Sequence, residues 1–146
     1  MLPALWKHDH LAGFEWESLR TWRCNVLLEG PRHSTDALLG LLVSDLRKPV
    51  LWNPIRTPYA LLARECGALV LQNVAALNRT EQGNLRRWVE DSDPRRQVIS
   101  TSARPLFPLV ARGLFDEVLY YRLNIVLVRV GSASNGGSIT AALQRH

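Results

Sequence analysis

The chain is poor in cysteine: Cys24 and Cys66 are the only two among 146 residues. Two thiols cannot build a disulfide framework. Each lies beside an apolar run (Asn25–Glu29 and Gly67–Leu71), the setting of a buried, reduced thiol in a cytosolic protein. Lysine is scarcer than arginine, with only Lys7 and Lys48 among 18 basic residues. No apolar run approaches the ~20 residues of a membrane span, and Met1–His10 lacks the charged region and long apolar stretch of a signal peptide. A block of like charge is missing too. The net charge is +5, and the excess lies beyond Arg79, where Asp91, Asp93, Asp116 and Glu117 interrupt it. That balance permits weak attraction to polyanions, and a basic nucleic-acid binder is the weakest function class it leaves open. There is no internal repeat. With 47% apolar and 21% charged residues, the composition is that of one ordinary globular domain.

What is present is an alternation of short apolar runs and helical patterns. Strands are expected at Asn25–Glu29, Val50–Trp52, Gly67–Leu71, Gln97–Thr101 and Asn124–Val130. Between them, Ser34, Thr35 and Asp36 read as an N-cap cluster opening a helix over Ala37–Val43, with Arg47 and Lys48 at its negative end and Pro49 stopping it. Further helices are expected at Tyr59–Glu65, Arg79–Glu90 and Leu106–Leu114, the last ending near Gly113. Leu11–Trp22 fits a short amphipathic helix loosely. Residues 131–138 have linker composition, and the last eight residues read as a frayed helix. Strands apolar throughout, alternating with helices, imply a five-stranded parallel sheet covered on both faces, a three-layer α/β/α domain over 24–130. A Trp-rich covering segment (1–23) precedes it and a Gly/Ser-rich flexible tail (131–146) follows. In such sheets the functional crevice lies at the carboxyl ends of the strands. Gly30–Asp36, Gln72-Asn73 and Ser102–Arg104 are expected to converge there.

Gly30, between a strand and a helix, suggests a phosphate-binding loop of the form G-x-x-x-x-G-K-[ST]. In that motif the second glycine lets backbone N–H groups curl around phosphate, the lysine neutralises it and the hydroxyl holds magnesium. Here Thr35 replaces the glycine, Asp36 the lysine and Ala37 the hydroxyl residue. A carboxylate where an ammonium is needed reverses the interaction with a triphosphate. The third strand ends in Gln72 and Asn73, neutral amides where a nucleotide hydrolase carries acids for magnesium and water. The charges needed for phosphoryl transfer are replaced together, on an otherwise intact strand pattern.

Gly113-Leu-Phe-Asp-Glu-Val-Leu-Tyr-Tyr-Arg-Leu-Asn124 is similar to G-x-F-R-x-D-L-Y-Y-R-L-N, a motif of the ATPase domain of bacterial sigma-54-dependent transcriptional activators, a branch of the AAA+ family. Gly67–Leu71 resembles that family's G-G-T-L-F-L-D-E strand without its acids. Pro49–Asn53 resembles P-F-V-x-V-N-C, Gln82, Leu85 and Arg87 sit like Q-x-x-L-L-R, and Val98–Ser102 resembles I-A-A-T-N, with Ala103 in place of the sensor asparagine. The resemblance runs from about Asn25 to Val130 and implies a P-loop NTPase-like α/β subdomain. Its departures imply what is lost. The sigma-contact motif G-A-F-T-G-A does not occur in Pro54–Cys66, Asp116 stands for the first arginine of the family's pair, and no helical lid follows the fifth strand.

The resulting expectation is a cytoplasmic, non-catalytic interaction module, a pseudo-ATPase without cofactor or metal, that binds a protein partner: an intact activator or a second copy. The alternative is a regulator that retains nucleotide or anion binding without hydrolysis. Arg122, flanked by Tyr120 and Tyr121, matches an arginine that the resemblance implies could act on a neighbouring subunit's nucleotide; packing at the sheet edge is the plainer role. His33 could help hold an anion or simply bond within its loop. Arg86, Arg87, Arg95 and Arg96 read as a solvated face. His8-Asp9-His10 is too short to surround one metal ion, and His33, Ser34 and Asp36 are too close in sequence for a catalytic triad.

Overall fold

The computed structural model describes residues 24–53, 67–91 and 96–131, together with the backbone of 141–145. The elements run β1 (Val26–Glu29), α1 (Arg32–Val43), β2 (Val50–Trp52), β3 (Ala68–Leu71), a 3-10 turn (Val74–Ala76), α2 (Arg79–Asp91), β4 (Gln97–Ser102), α3 (Phe107–Ala111), α4 (Glu117–Leu123), β5 (Val126–Val130) and β6 (Ala141–Arg145). Strand order is β2-β3-β4-β1-β5-β6. β1 to β5 pair in parallel, with Val26 opposite both Ile99 and Val126. The parallel sheet is the expected one.

Strand alternation divides the core into two. Val26, Leu28, Val70 and Ile99 point to one face, where Leu38, Leu39 and Leu42 of α1 cover them. Leu27, Leu69, Val98 and Leu127 point to the other, beneath Leu85 and Trp88 of α2, Leu109 of α3 and Leu119 and Leu123 of α4. Both faces of β1, β3 and β4 are thereby taken out of water, which is why β1 and β3 are apolar throughout apart from Glu29.

Several local expectations are corrected. The helix expected from Ala37 starts at Arg32, with Pro31 in the cap position and no side-chain cap. Proline suits such a start because its fixed φ is already helical. Ser34 and Thr35 are buried in the first turn, so the cap cluster is inside the helix. The helix ends at Val43, which leaves Arg47 and Lys48 beyond its last turn. α3 is only Phe107–Ala111, and Gly113 follows it with φ 74°. α4 lies within the Gly113–Asn124 motif, where no helix is expected from the sequence. In place of a frayed terminal helix, Ala141–Arg145 pairs antiparallel with β5. An antiparallel edge strand on a parallel sheet is common, and Ala-Ala-Leu-Gln-Arg has too little β-branching to announce one. The expected helices at Leu11–Trp22 and Tyr59–Glu65, the thiol of Cys66 and the His8–His10 triplet lie outside the described residues.

α4 is held at both ends. At its N-terminus Asp116 Oδ1 accepts from Leu119 N–H at 2.8 Å and Oδ2 pairs with Arg86 Nη1 at 3.2 Å. Arg86 also bonds Glu90 at 3.2 Å, so it is not merely a solvated residue. At the other end Asn25 Nδ2 donates to Arg122 O at 2.8 Å. Asp116→Ala removes the cap and is expected to cost about 1 kcal/mol in urea unfolding, with Asp116→Asn retaining part of the loss-free behaviour through its side-chain oxygen.

Candidate functional site

The β1–α1 connection is Gly30 and Pro31 alone. A phosphate cradle needs several backbone N–H groups facing outward from a loop. Here the amides of Ser34 and Thr35 both donate to Pro31 O at 3.0 Å, Pro31 has no N–H, and Thr35 Oγ1 donates to Arg32 O at 3.1 Å. Helix occupies the stretch where the motif would place its loop. Gly30 is explained by packing: a Cβ on it would lie 2.1 Å from Val130 O.

Above the carboxyl ends of the strands lies a cleft of about 250 Å3 lined by Arg32, Thr35, Asp36, Asn53, Gln72, Asn73, Thr101 and Ala103. Of the residues expected there, Arg32, Thr35, Asp36, Gln72, Asn73 and Ala103 come together, while Ser102 and Arg104 do not line the cleft. Gly30 and Ala37 are not on its wall, and exposed His33 is not either. Asn53 and Thr101 were missed. Each sits at a strand end facing the crevice, and the Asn53-Pro54 turn at the end of a parallel strand was the signal available.

Hydrogen bonds tie much of the wall together. Asn53 and Gln72 pair reciprocally: Gln72 N–H donates to Asn53 Oδ1 at 2.6 Å and Asn53 Nδ2 donates to Gln72 Oε1 at 2.7 Å. Gln72 Nε2 then donates to Asp36 Oδ1 at 3.0 Å, and Asp36 Oδ2 lies 3.7 Å from Arg32 Nε. Asn73 N–H donates to Thr101 Oγ1 at 2.9 Å. Asn53 and Asn73 both have positive φ, 47° and 56°, a region asparagine tolerates better than other non-glycine residues. The acceptor sits at position 36 and the donor at position 72. A lysine and an acid at these positions would place donor and acceptor the other way round. Asp36 is thus bound to Gln72, just beyond β3, and is not the helix cap expected of it.

On the opposite face, Glu29 is 4% exposed. Its Oε2 accepts from Leu106 N–H at 2.9 Å and its Oε1 lies 3.9 Å from Arg129 Nε. Burial pushes its carboxyl up from the ordinary 4.5, against the opposing pull of the Leu106 amide and Arg129. Burial and the Glu29 charge likewise push up the Tyr120 phenol. For an acid raised in the folded state, folding binds protons, so this carboxyl's own contribution to stability is fully present below about 4.5 and is lost as pH rises through the raised value. Glu29→Gln keeps an acceptor for Leu106 and removes the ionisation. It is expected to unfold at higher urea than the parent at pH 7 and at the same urea at pH 4.

Tyr120, Tyr121 and Arg122 lie on α4, not at the sheet edge, and on the face away from α1. Tyr120 is buried, whereas Tyr121 and Arg122 are exposed. None lines the cleft. Among the described residues no group of three or more His, Cys, Asp or Glu side chains could hold a metal ion, and no described helix is long and apolar enough to cross a membrane.

Comparison with known proteins places this geometry. The family model of the sigma-54 interaction domain matches residues 17–132. A solved structure of NtrX from Brucella abortus in complex with ADP is similar to this chain with a TM-score of 0.62 and 20% identity, covering 80% of this chain and 34% of that one. NtrX in complex with ATP is similar at 0.60 and 20%, covering 77% and 33%. A RuvB variant from Thermotoga maritima is similar at 0.53 and 21%, covering 77% and 40%. The chain therefore spans about a third of the NtrX length. No curated protein matches in sequence.

Proposed function

Because this chain belongs to the sigma-54 interaction domain family, we propose that it is a cytoplasmic, non-catalytic member that acts by binding protein, in transcriptional or signalling control, with an intact activator or a second copy as partner. The observation that carries this reading is the hydrogen bond from Gln72 to Asp36 at 3.0 Å. It joins the two positions that should hold phosphate and metal, and it does so with a carboxylate and a carboxamide. The two-residue β1–α1 connection supports the same reading, since the amides of Ser34 and Thr35 are spent inside the helix. A triphosphate entering the cleft would meet Asp36 and would find neither a loop of free N–H groups nor acids to hold magnesium. Activity resides in sites rather than folds, so an NTPase-like sheet without those groups is a scaffold for surfaces.

A second reading, retention of nucleotide or anion binding without hydrolysis, draws on the open cleft of about 250 Å3 and on the ADP and ATP held by the similar NtrX structures. One measurement separates the two. The full chain is heated with and without millimolar Mg-ATP, and phosphate release is followed in parallel. A ligand at 100 times its Kd adds about 2.7 kcal/mol, several degrees in melting temperature for a chain of this size. No shift and no release are expected. A shift without release establishes the second reading, and release overturns both.

A further inference from the structure

The cleft at the carboxyl ends of the strands holds one charge of each sign. Among the described residues on its wall only Asp36 and Arg32 are charged; the others are amides, hydroxyls and Ala103. Asp36 Oδ1 is taken by Gln72 Nε2 at 3.0 Å. Asp36 Oδ2 has only Arg32 Nε, at 3.7 Å, beyond hydrogen-bond length. The Arg32 side chain is 85% exposed, and no described residue accepts from its two terminal nitrogens. Asn53 and Gln72 saturate each other. Asn73 spends its N–H on Thr101 Oγ1 at 2.9 Å, while its carboxamide and the Thr101 hydroxyl proton make no hydrogen bond to a described residue. The unspent groups are therefore a charged acceptor, a charged donor and a neutral donor-acceptor pair. At about 250 Å3 the space is below the ~300–1,000 Å3 of pockets for drug-sized ligands, which points to a small molecule.

We propose that this cleft binds a free α-amino acid with a short, uncharged polar side chain. The ammonium donates to Asp36 Oδ2, the carboxylate accepts from the Arg32 guanidinium, and the side chain meets Asn73 and Thr101. Spacing supports this class. The nitrogen and carboxyl carbon of an α-amino acid lie about 2.5 Å apart, so its two charges can sit head to tail against a pair 3.7 Å apart. A lone anion such as phosphate would meet Asp36, and a lone cation would meet Arg32. A zwitterion gives each protein charge an opposite partner without parting the two. Charge-assisted hydrogen bonds are roughly twice as strong as neutral ones. The bond from Gln72 already holds Asp36 in place, so less freedom is lost when the ligand arrives. The proposal goes beyond protein binding and does not rest on it, because it concerns the cleft alone.

Titration of the isotope-labelled full chain with L-serine and L-asparagine, followed by NMR, tests it. The Asn73 carboxamide and Arg32 Nε–H signals are expected to shift and to saturate at millimolar ligand. Ammonium acetate, which supplies the same charges unlinked, is expected to give no saturation. Glycine, lacking the side chain, is expected to bind about fivefold more weakly than L-serine, the loss of one neutral hydrogen bond. Arg32→Gln and Asp36→Asn each remove one charge. Arg32 is exposed, and the amide oxygen introduced at position 36 can still accept from Gln72, so the fold is kept. Each variant is expected to weaken binding about tenfold, the loss of one charge-assisted hydrogen bond. No saturable shift in the parent chain, shifts confined to residues outside the cleft, saturation by ammonium acetate, glycine binding as tightly as L-serine, or an affinity unmoved by either variant would overturn the proposal.

Discussion

Gly30→Ala is expected to destabilise the fold by about 3 kcal/mol or more, a fall of roughly 10 °C in melting temperature, with no nucleotide present. The added Cβ would lie 2.1 Å from Val130 O and 3.0 Å from its carbonyl carbon. Both are backbone of β5, fixed in the ladder with β1 through Leu28 and Val128. Gly30 cannot retreat on the other side either, because its N–H donates to Ser102 O at 3.0 Å. The position is clamped between β4 and β5 at the end of the central strand. The control is Gly40→Ala, on α1, where a Cβ would meet nothing within 4 Å. That change is expected to stabilise by about 0.5–1 kcal/mol through helix propensity. Gly30 lies two residues before Arg32, the first residue of α1, and Gly40 eight residues after it, yet their effects have opposite sign. Equal, small effects in urea unfolding would show that Gly30 is free to move, and would return it to the role of a phosphate-loop remnant.

That result bears on how the sequence could be read. Gly30 looks like the first residue of a loop motif, and its retention beside Thr35, Asp36 and Ala37 reads as a relic. Packing gives it a present reason that no spacing pattern could reveal, because the conflict is with Val130, 100 residues away. Apolar runs located all five parallel strands, since a strand buried on both faces has few ways to be written. The convergence of Thr35, Asp36, Gln72, Asn73 and Ala103 followed from topology, because parallel strands put their carboxyl ends together. What stayed hidden was of two kinds. Side-chain partnerships such as Asn53 with Gln72 need two elements in register. Local starts such as α1 at Arg32 turn on whether Pro31 opens a helix or extends a loop, and proline permits both. β6 was hidden because an edge strand needs little intrinsic preference once a partner offers its hydrogen bonds.

The wall of the cleft makes the last prediction. Gln72→Asp removes the donor to Asp36 and sets a second carboxylate against it. The expected loss is about 1–2 kcal/mol at pH 7 in low salt, reduced from the full Coulomb value because Asp36 is partly solvated. Salt should shrink the loss. So should acid, because two facing carboxylates hold protons more tightly than the unfolded chain does, and protonation of one relieves the repulsion. Asp36→Lys is expected to be mild by itself, since Gln72 can turn its amide oxygen toward an ammonium. Combined, Asp36→Lys and Gln72→Asp create an ion pair with the polarity of a nucleotide hydrolase. The double variant should recover most of what Gln72→Asp loses, a coupling of about 1–2 kcal/mol in a double-mutant cycle. It is nevertheless expected to gain no measurable Mg-ATP affinity, because the amides of Ser34 and Thr35 remain bonded to Pro31 O and no loop is created by changing charge. Additive single effects would mean that positions 36 and 72 do not touch in solution. Tight Mg-ATP binding by the double variant would show that the two-residue β1–α1 connection does not prevent nucleotide binding.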